Sequence, residues 1–109
     1  MNVILKKSEA AEPYSFSFQG ATGKVILRSE NYKVKSSAIN GIESVKKNCN
    51  NAARYEMNEA KNGKLYFNLK ASNGQIVATS ALFDSSAERD ACIAELKNQA
   101  PDAVVDDQC

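Results

Sequence analysis

Alternation is the first pattern along the chain. Tyr14, Phe16 and Phe18 are separated by Ser15, Ser17 and Gln19, as Leu65, Phe67 and Leu69 are by Tyr66, Asn68 and Lys70. A period of two puts the apolar side chains on one face of a half-buried strand. Each run leads into turn residues, Gly20-Ala21-Thr22-Gly23 and Ser72-Asn73-Gly74, where glycine or asparagine accepts the positive φ of a tight hairpin. Further strands are predicted over about 24–29 and 75–80. Upstream, Val3 and Leu5 match Tyr55 and Met57, and Asn62-Gly63 marks another hairpin. Then the period changes. Ala38, Ile42, Val45 and Cys49 fall at helical spacing, as do Ile93, Leu96 and Ala100. Ser85 to Glu88 matches a capping box, and Pro101 stops the second helix just past Gln99. The counterpart of Ser85 is Val34, so Ser36 or Ser37 is expected to cap a first helix that begins slightly later.

Sliding the chain by 51 positions aligns Tyr14 to Asn50 without a gap. Phe16 meets Phe67, Gly23 meets Gly74, Ser29 meets Ser80, Ile42 meets Ile93 and Lys46 meets Lys97. Most other core-type positions keep an apolar residue, so pattern carries the repeat more than identity does. The expected fold is α+β: two tandem β-β-β-α(-β) repeats, about 1–51 and 52–109, in a single domain. They form one antiparallel sheet with two helices on one face, related by a pseudo-two-fold axis. Ala103-Val104-Val105 is expected to add a short edge strand.

Composition changes this picture little. The chain has 109 residues, 43% hydrophobic and 25% charged, an ordinary globular mixture. The apolar run Val3-Ile4-Leu5 is too short for a signal peptide or a membrane span, so a cytoplasmic address is expected. Cys49, Cys92 and Cys109 fit neither an even disulfide framework nor a close-spaced ligand set, and there is no histidine. No metal or cofactor is expected. Charge is more informative, because residues 1–54 carry nine Lys/Arg against four Asp/Glu and residues 55–109 carry five against nine. Opposite charges on two similar halves can steer their own docking. They can also make a basic face from Lys24, Arg28, Lys33, Lys35, Lys46, Lys47 and Arg54, with Tyr14 or Tyr32 free to stack on bases.

Three stretches carry a family resemblance: Asn40-Gly41-Ile42-Glu43-Ser44-Val45-Lys46-Lys47-Asn48, Ala53-Arg54-Tyr55-Glu56, and Phe67-Asn68-Leu69-Lys70-Ala71 with Asn73-Gly74 behind it. Over nearly its whole length the chain resembles the YegP-like family of small bacterial proteins. The resemblance implies a three-strand, helix, strand unit, used in tandem or as a dimer, with one sheet completed by exchange of the last strand. It implies no reaction and no site residue. The second helix departs from the pattern, reading Ala91-Cys92-Ile93 where Asn-Gly-Ile is expected.

The residues offer little catalytic chemistry. Cys49 lies at a helix carboxyl end, where the partial negative charge disfavours a thiolate, and only Lys46 or Lys47 stands near it as a base. Cys92 reads as a small buried hydrophobe and Cys109 as a mobile chain end. Asp106 and Asp107 sit in a tail, Glu88 is a cap, and Glu56 and Glu59 lie on a strand facing water. Gly20 to Lys24 lacks the spacing of a phosphate loop. The expected function is therefore a non-catalytic interaction module, monomeric through its internal pairing, that offers a sheet face or edge to a protein partner. Nucleic-acid binding by the basic first repeat is the alternative. Gly41, which costs about 1 kcal/mol relative to alanine inside a helix, and the matching Cys92 are expected to let the two helices cross closely.

Overall fold

The structure, a computed structural model, describes residues 1–109. Three strands, β1 (Asn2–Lys7), β2 (Tyr14–Gln19) and β3 (Val25–Ser29), precede α1 (Lys35–Asn48). The order then recurs as β4 (Tyr55–Glu59), β5 (Leu65–Lys70), β6 (Ile76–Ser80) and α2 (Ser86–Gln99), and β7 (Val104–Asp107) ends the chain. The sheet runs β4-β5-β6-β3-β2-β1-β7. Its first six strands are antiparallel, and the two halves join where β3 pairs with β6. The seventh differs from the all-antiparallel expectation, because β7 lies parallel to β1. A chain leaving α2 must cross the sheet to reach that edge, and such a crossover delivers a parallel strand.

Local chemistry explains why the halves look alike. In the three tight hairpins Gly23, Gly63 and Gly74 sit at φ 81, 83 and 84, in the left-handed region that glycine enters without penalty. Register slips at Phe18/Gln19 and Leu69/Lys70 show a bulge entering two of these turns. The identical pair Ser29 and Ser80 has one job. Each hydroxyl accepts the backbone N–H of Phe16 or Phe67 at 2.9 Å, then donates to the next carbonyl. Each serine thus satisfies a strand amide where the ladder is interrupted.

The core lies between the sheet and the helices. Phe18, Phe67, Leu5, Leu27, Leu69, Ile42 and Leu96 are fully buried, each worth about 1.5–3 kcal/mol of transfer free energy. Neither helix stays within its own half. α1 lies across β2 and also β5 and β6, and its far side meets the turn Ala100–Asp102. α2 packs on β5 and extends Glu95 to Gly20 in the β2–β3 turn.

The helix starts differ as their sequences do. Ser85 caps α2, accepting the Glu88 N–H at 3.2 Å, while the Glu88 carboxylate reaches back to the Asp84 N–H at 3.4 Å. Neither Ser36 nor Ser37 caps α1. The helix begins at Lys35 behind Val34, which offers no side-chain acceptor. Because Val34 is exposed and extended, Val34→Asp should supply the missing acceptor and stabilise the protein by about 1 kcal/mol in urea unfolding. No gain would mean that the first-turn amides are already satisfied.

Gly41 is buried against aromatic rings. A Cβ placed there would stand 2.6 Å from Tyr32 Oη and 2.8 Å from Phe16 Cε2. The atoms that crowd it belong to its own half, which corrects the expected helix crossing at Gly41. In the second half Phe67 and Phe83 stack as Phe16 and Tyr32 do, with centroids 6.2 and 6.4 Å apart. Phe83 lacks the hydroxyl, and the position matching Gly41 carries the buried Cys92. One half keeps the hydroxyl and the other the thiol.

Candidate interaction surfaces

The seven basic positions do not gather on one surface. Arg28 pairs with Ser17 and Thr79, on the sheet face opposite Leu27 and the helices. Lys46 and Lys47 lie in the last turn of α1 on the helix side, and Arg54 follows them, donating from Nε to Asn48 Oδ1 at 3.2 Å. Lys35 opens α1 and is ion-paired with Asp107 at 2.7 Å. Lys33 is exposed before that helix, and Lys24 lies in the β2–β3 turn, where its charge is felt at Cys92. The proposed stacking residues are not free platforms. Tyr32 is half-buried in its stack with Phe16, and Tyr14 is half-buried with Lys7 Nζ 5.7 Å from its ring centre. Strand periodicity assigns a residue to a face, but these cations sit on turns, a helix and a strand.

The thiols are placed for packing. Cys49 is fully buried and donates to the Lys46 carbonyl at 3.4 Å, and burial pushes its pKa up. Desolvation, with Glu95 adding to it, pushes Cys92 up to about 11. Burial thus favours the protonated thiol at both positions. The Tyr55 hydroxyl donates to the Cys49 carbonyl, closing the carboxyl end of α1. Cys109 is exposed beside β1.

The sheet face away from the helices is open, and its two halves differ. In the second half one carboxylate organises the surface. Glu56 binds Lys70 at 2.5 Å and accepts from Asn58 at 3.1 Å and Asn68 at 3.2 Å, while Thr79 donates to Asn68 at 2.8 Å. The Lys70 hydrogen bond first, then those from Asn58 and Asn68, hold the Glu56 carboxyl down from 4.5 to about 2. Its folded value lies below its unfolded one, so the contribution is complete above about pH 4.5 and is lost as pH falls toward 2. The stability gap between wild type and Glu56→Gln should therefore narrow over that window in pH-dependent urea unfolding. A gap independent of pH would mean that the network does not depend on charge. In the first half the face is hollow, a concavity of about 230 Å³ lined by Lys6, Ser15, Ser17 and Arg28 among others.

The two sheet edges differ as well. Leu65 and Phe83 exchange backbone hydrogen bonds of 2.9 and 2.7 Å on the β6 side. Alternation then turns Tyr66 and Asn68 toward β4, where they pair with Asn58 and Glu56. The backbone groups of Tyr55, Met57 and Glu59 consequently point off the edge, apart from the Tyr55 N–H, which bonds the Ala52 carbonyl. On β1 the matching groups are occupied by β7, with Val104 N–H on the Met1 carbonyl at 3.2 Å and Gln108 N–H on the Leu5 carbonyl at 2.9 Å. Coverage follows: Leu5 is 1% exposed and its counterpart Met57 is 46% exposed. Met57, Ile93 and Ala94 line a shallow groove along this bare edge, with Asp90 and Lys97 at its rim.

Lys6, Ser15, Ser17 and Met57 were not singled out from the sequence as surface sites, and Glu56 only as a carboxylate facing water. The signal was present in the 51-residue alignment, which sets Ser17 against Asn68 and Arg28 against Thr79. Its meaning required the cross-strand register.

These features define a class: a small α+β protein with one mixed sheet, a helical layer on one side, and an open polar face on the other. The chain belongs to the Domain of unknown function family DUF1508, whose profile matches residues 2–56 and again residues 60–107. It is 47% identical over 98 residues to the UPF0339 protein in the ptx operon 5' region of Stutzerimonas stutzeri, covering 90% of this chain and 88% of that one. It is 40% identical over 103 residues to the UPF0339 protein YegP of Escherichia coli O157:H7, covering 94% and 93%. The solution NMR structure of a UPF0339 protein from Shewanella oneidensis matches with a TM-score of 0.90 at 42% identity, over 97% of this chain and 89% of that chain. These relatives are uncharacterised, and their names indicate neither a catalytic nor a nucleic-acid-binding role. No helix is long and apolar enough to cross a membrane.

Proposed function

We propose that this protein is a non-catalytic interaction module of the cytoplasm, monomeric through its internal pairing, that takes up an extended segment of a protein partner beside β4. The observation that supports this reading is the contrast between the edges. One carries a parallel strand over Leu5, and the other leaves Met57 and outward backbone groups bare. Strand addition draws its affinity from such groups and its specificity from alternate side-chain pockets, here the groove along Met57 and Ile93. The pairing of β7 with β1 sets the expected direction, parallel to the edge strand.

Proline separates this role from folding. The Met57 N–H has no partner inside the sheet, so Met57→Pro should keep the fold with a small loss of stability while blocking the edge. Asn58→Pro removes an inward N–H from the ladder with β5 and should destabilise clearly more than Met57→Pro. A partner captured by the wild type should be lost with Met57→Pro. Once purified and added back, it should slow hydrogen exchange at the Met57 and Glu59 amides. A partner held equally by both proteins, or one that protects amides elsewhere, would refute strand addition at β4.

A further inference from the structure

The hollow on the open face of the first half has an internal template in the second. Glu56 lies opposite Asn68, and at the same register of the first half Ile4 lies opposite Ser17. Lys6 stands opposite Ser15 where Asn58 stands opposite Tyr66, and Arg28 stands opposite Ser17 where Thr79 stands opposite Asn68. Of the groups that donate to Glu56, Asn58 is matched by the cation Lys6, Asn68 by Ser17 and Lys70 by the neutral Gln19, while Thr79, which donates to Asn68, is matched by Arg28; the carboxylate itself is replaced by Ile4. Neither Lys6 nor Arg28 enters any of the four ion pairs, although Asp106 of β7 stands in register beside Ile4.

We propose that the concavity lined by Lys6, Ser15, Ser17 and Arg28 binds the carboxylate of an acidic side chain presented by a partner protein. The incoming carboxylate takes the place that Glu56 fills from within the other half. Size decides between a protein-borne group and a free small molecule. At about 230 Å³ and open to solvent, the hollow falls below the range of roughly 300–1,000 Å³ that encloses small ligands, yet it accommodates one side chain. The Arg28 guanidinium offers the planar fork that matches a carboxylate, and Lys6 adds a second charge beside two serine hydroxyls. This site is independent of strand addition at β4, and either can fail without the other.

Titration of the 15N-labelled full-length protein with an acetylated, amidated Ala-Glu-Ala-Glu-Ala peptide tests the assignment. Amide shifts should concentrate at Lys6, Ser17 and Arg28 and vanish when glutamine replaces glutamate in the peptide. Arg28→Gln alters an exposed side chain, so the fold should persist while binding weakens about tenfold. Ile4→Glu should supply the carboxylate from within and abolish the peptide shifts, as Glu56 does in the second half. Equal response to the glutamine peptide, shifts spread over other surfaces, or undiminished binding by Arg28→Gln would overturn the proposal. Inorganic phosphate binding more tightly than the peptide at the same three residues would overturn the choice of a carboxylate.

Discussion

Residues 1–51 expressed without the rest of the chain are expected to give an unfolded or self-associating polypeptide, never a stable monomer. The cut removes β6 from β3, and it takes β5, β6 and the Ala100–Asp102 turn away from α1. It also exposes Leu27, Ile42 and Val45, which are 0%, 1% and 0% exposed in the intact chain. A piece of about 50 residues buries only about 60% of its extended surface even when well formed, so it has no reserve against such a loss. The full chain should instead unfold in one transition, with far-ultraviolet circular dichroism and calorimetry agreeing. A fragment with dispersed amide resonances at monomer concentration would show that the halves fold independently.

The same geometry predicts that mixing fragments 1–51 and 52–109 restores a mixed pair in preference to either self-pair. A Cβ on Gly20 would stand 2.9 Å from the Glu95 carboxylate, whereas the matching Ala71, which has a Cβ, shares a groove with the smaller Ser44. A self-pair of the second half sets Glu95 against Ala71. A self-pair of the first sets Ser44 against Gly20 and leaves a gap. The Glu95 carboxylate ends a flexible side chain and can turn away from Ala71, so the void in the first-half self-pair discriminates more than the contact in the second-half one.

The second large effect is at Gly41. Helix propensity favours alanine there by about 1 kcal/mol, but the new methyl group would meet Tyr32 Oη and the buried edge of Phe16. Overpacking in a close-packed core costs about 1–3 kcal/mol, so the steric cost wins and Gly41→Ala should destabilise. Gly41→Leu should reach the upper end of that range or exceed it. If the hydroxyl is the main obstruction, Tyr32→Phe should recover about 1 kcal/mol of the alanine loss, a coupling read from a double-mutant cycle in urea. Gly41→Cys with Tyr32→Phe copies the pair that Phe83 and Cys92 already make. Strict additivity would place the obstruction at Phe16 instead.

Much of the architecture was legible in the sequence because it is local. Alternation over Tyr14–Gln19 and Leu65–Lys70 follows from the two-residue period of a strand, and the hairpin glycines from a φ that few other residues accept. Ser85 announced its helix because a cap acts within three residues, and the same logic failed at Ser36 and Ser37, where the backbone was already helical. Even the last strand was foreseen, though not its direction. The close packing at Gly41 was also legible as a cost without a local reason, but its partner was not, since Tyr32 and Phe16 reach it only through the stacking of β2 under α1.

Tertiary structure alone decided which residues share a surface. Periodicity assigns Arg28 to a face of its strand, but only the pairing of β3 with β2, and of β2 with β1, brings it to the hollow beside Lys6. The summed basic charge of the first half suggested one patch, and the fold divided it between two faces because turns, helix and strand carry their cations in different directions. The bare edge at β4 was likewise invisible in sequence. Whether a strand is covered depends on where a distant segment ends, and β7 ends against β1, each of its residues 102 positions along the chain from its partner, because α2 and its turn direct it there. Local interactions set the elements; the long-range contacts that place them also set which donors are left without a partner.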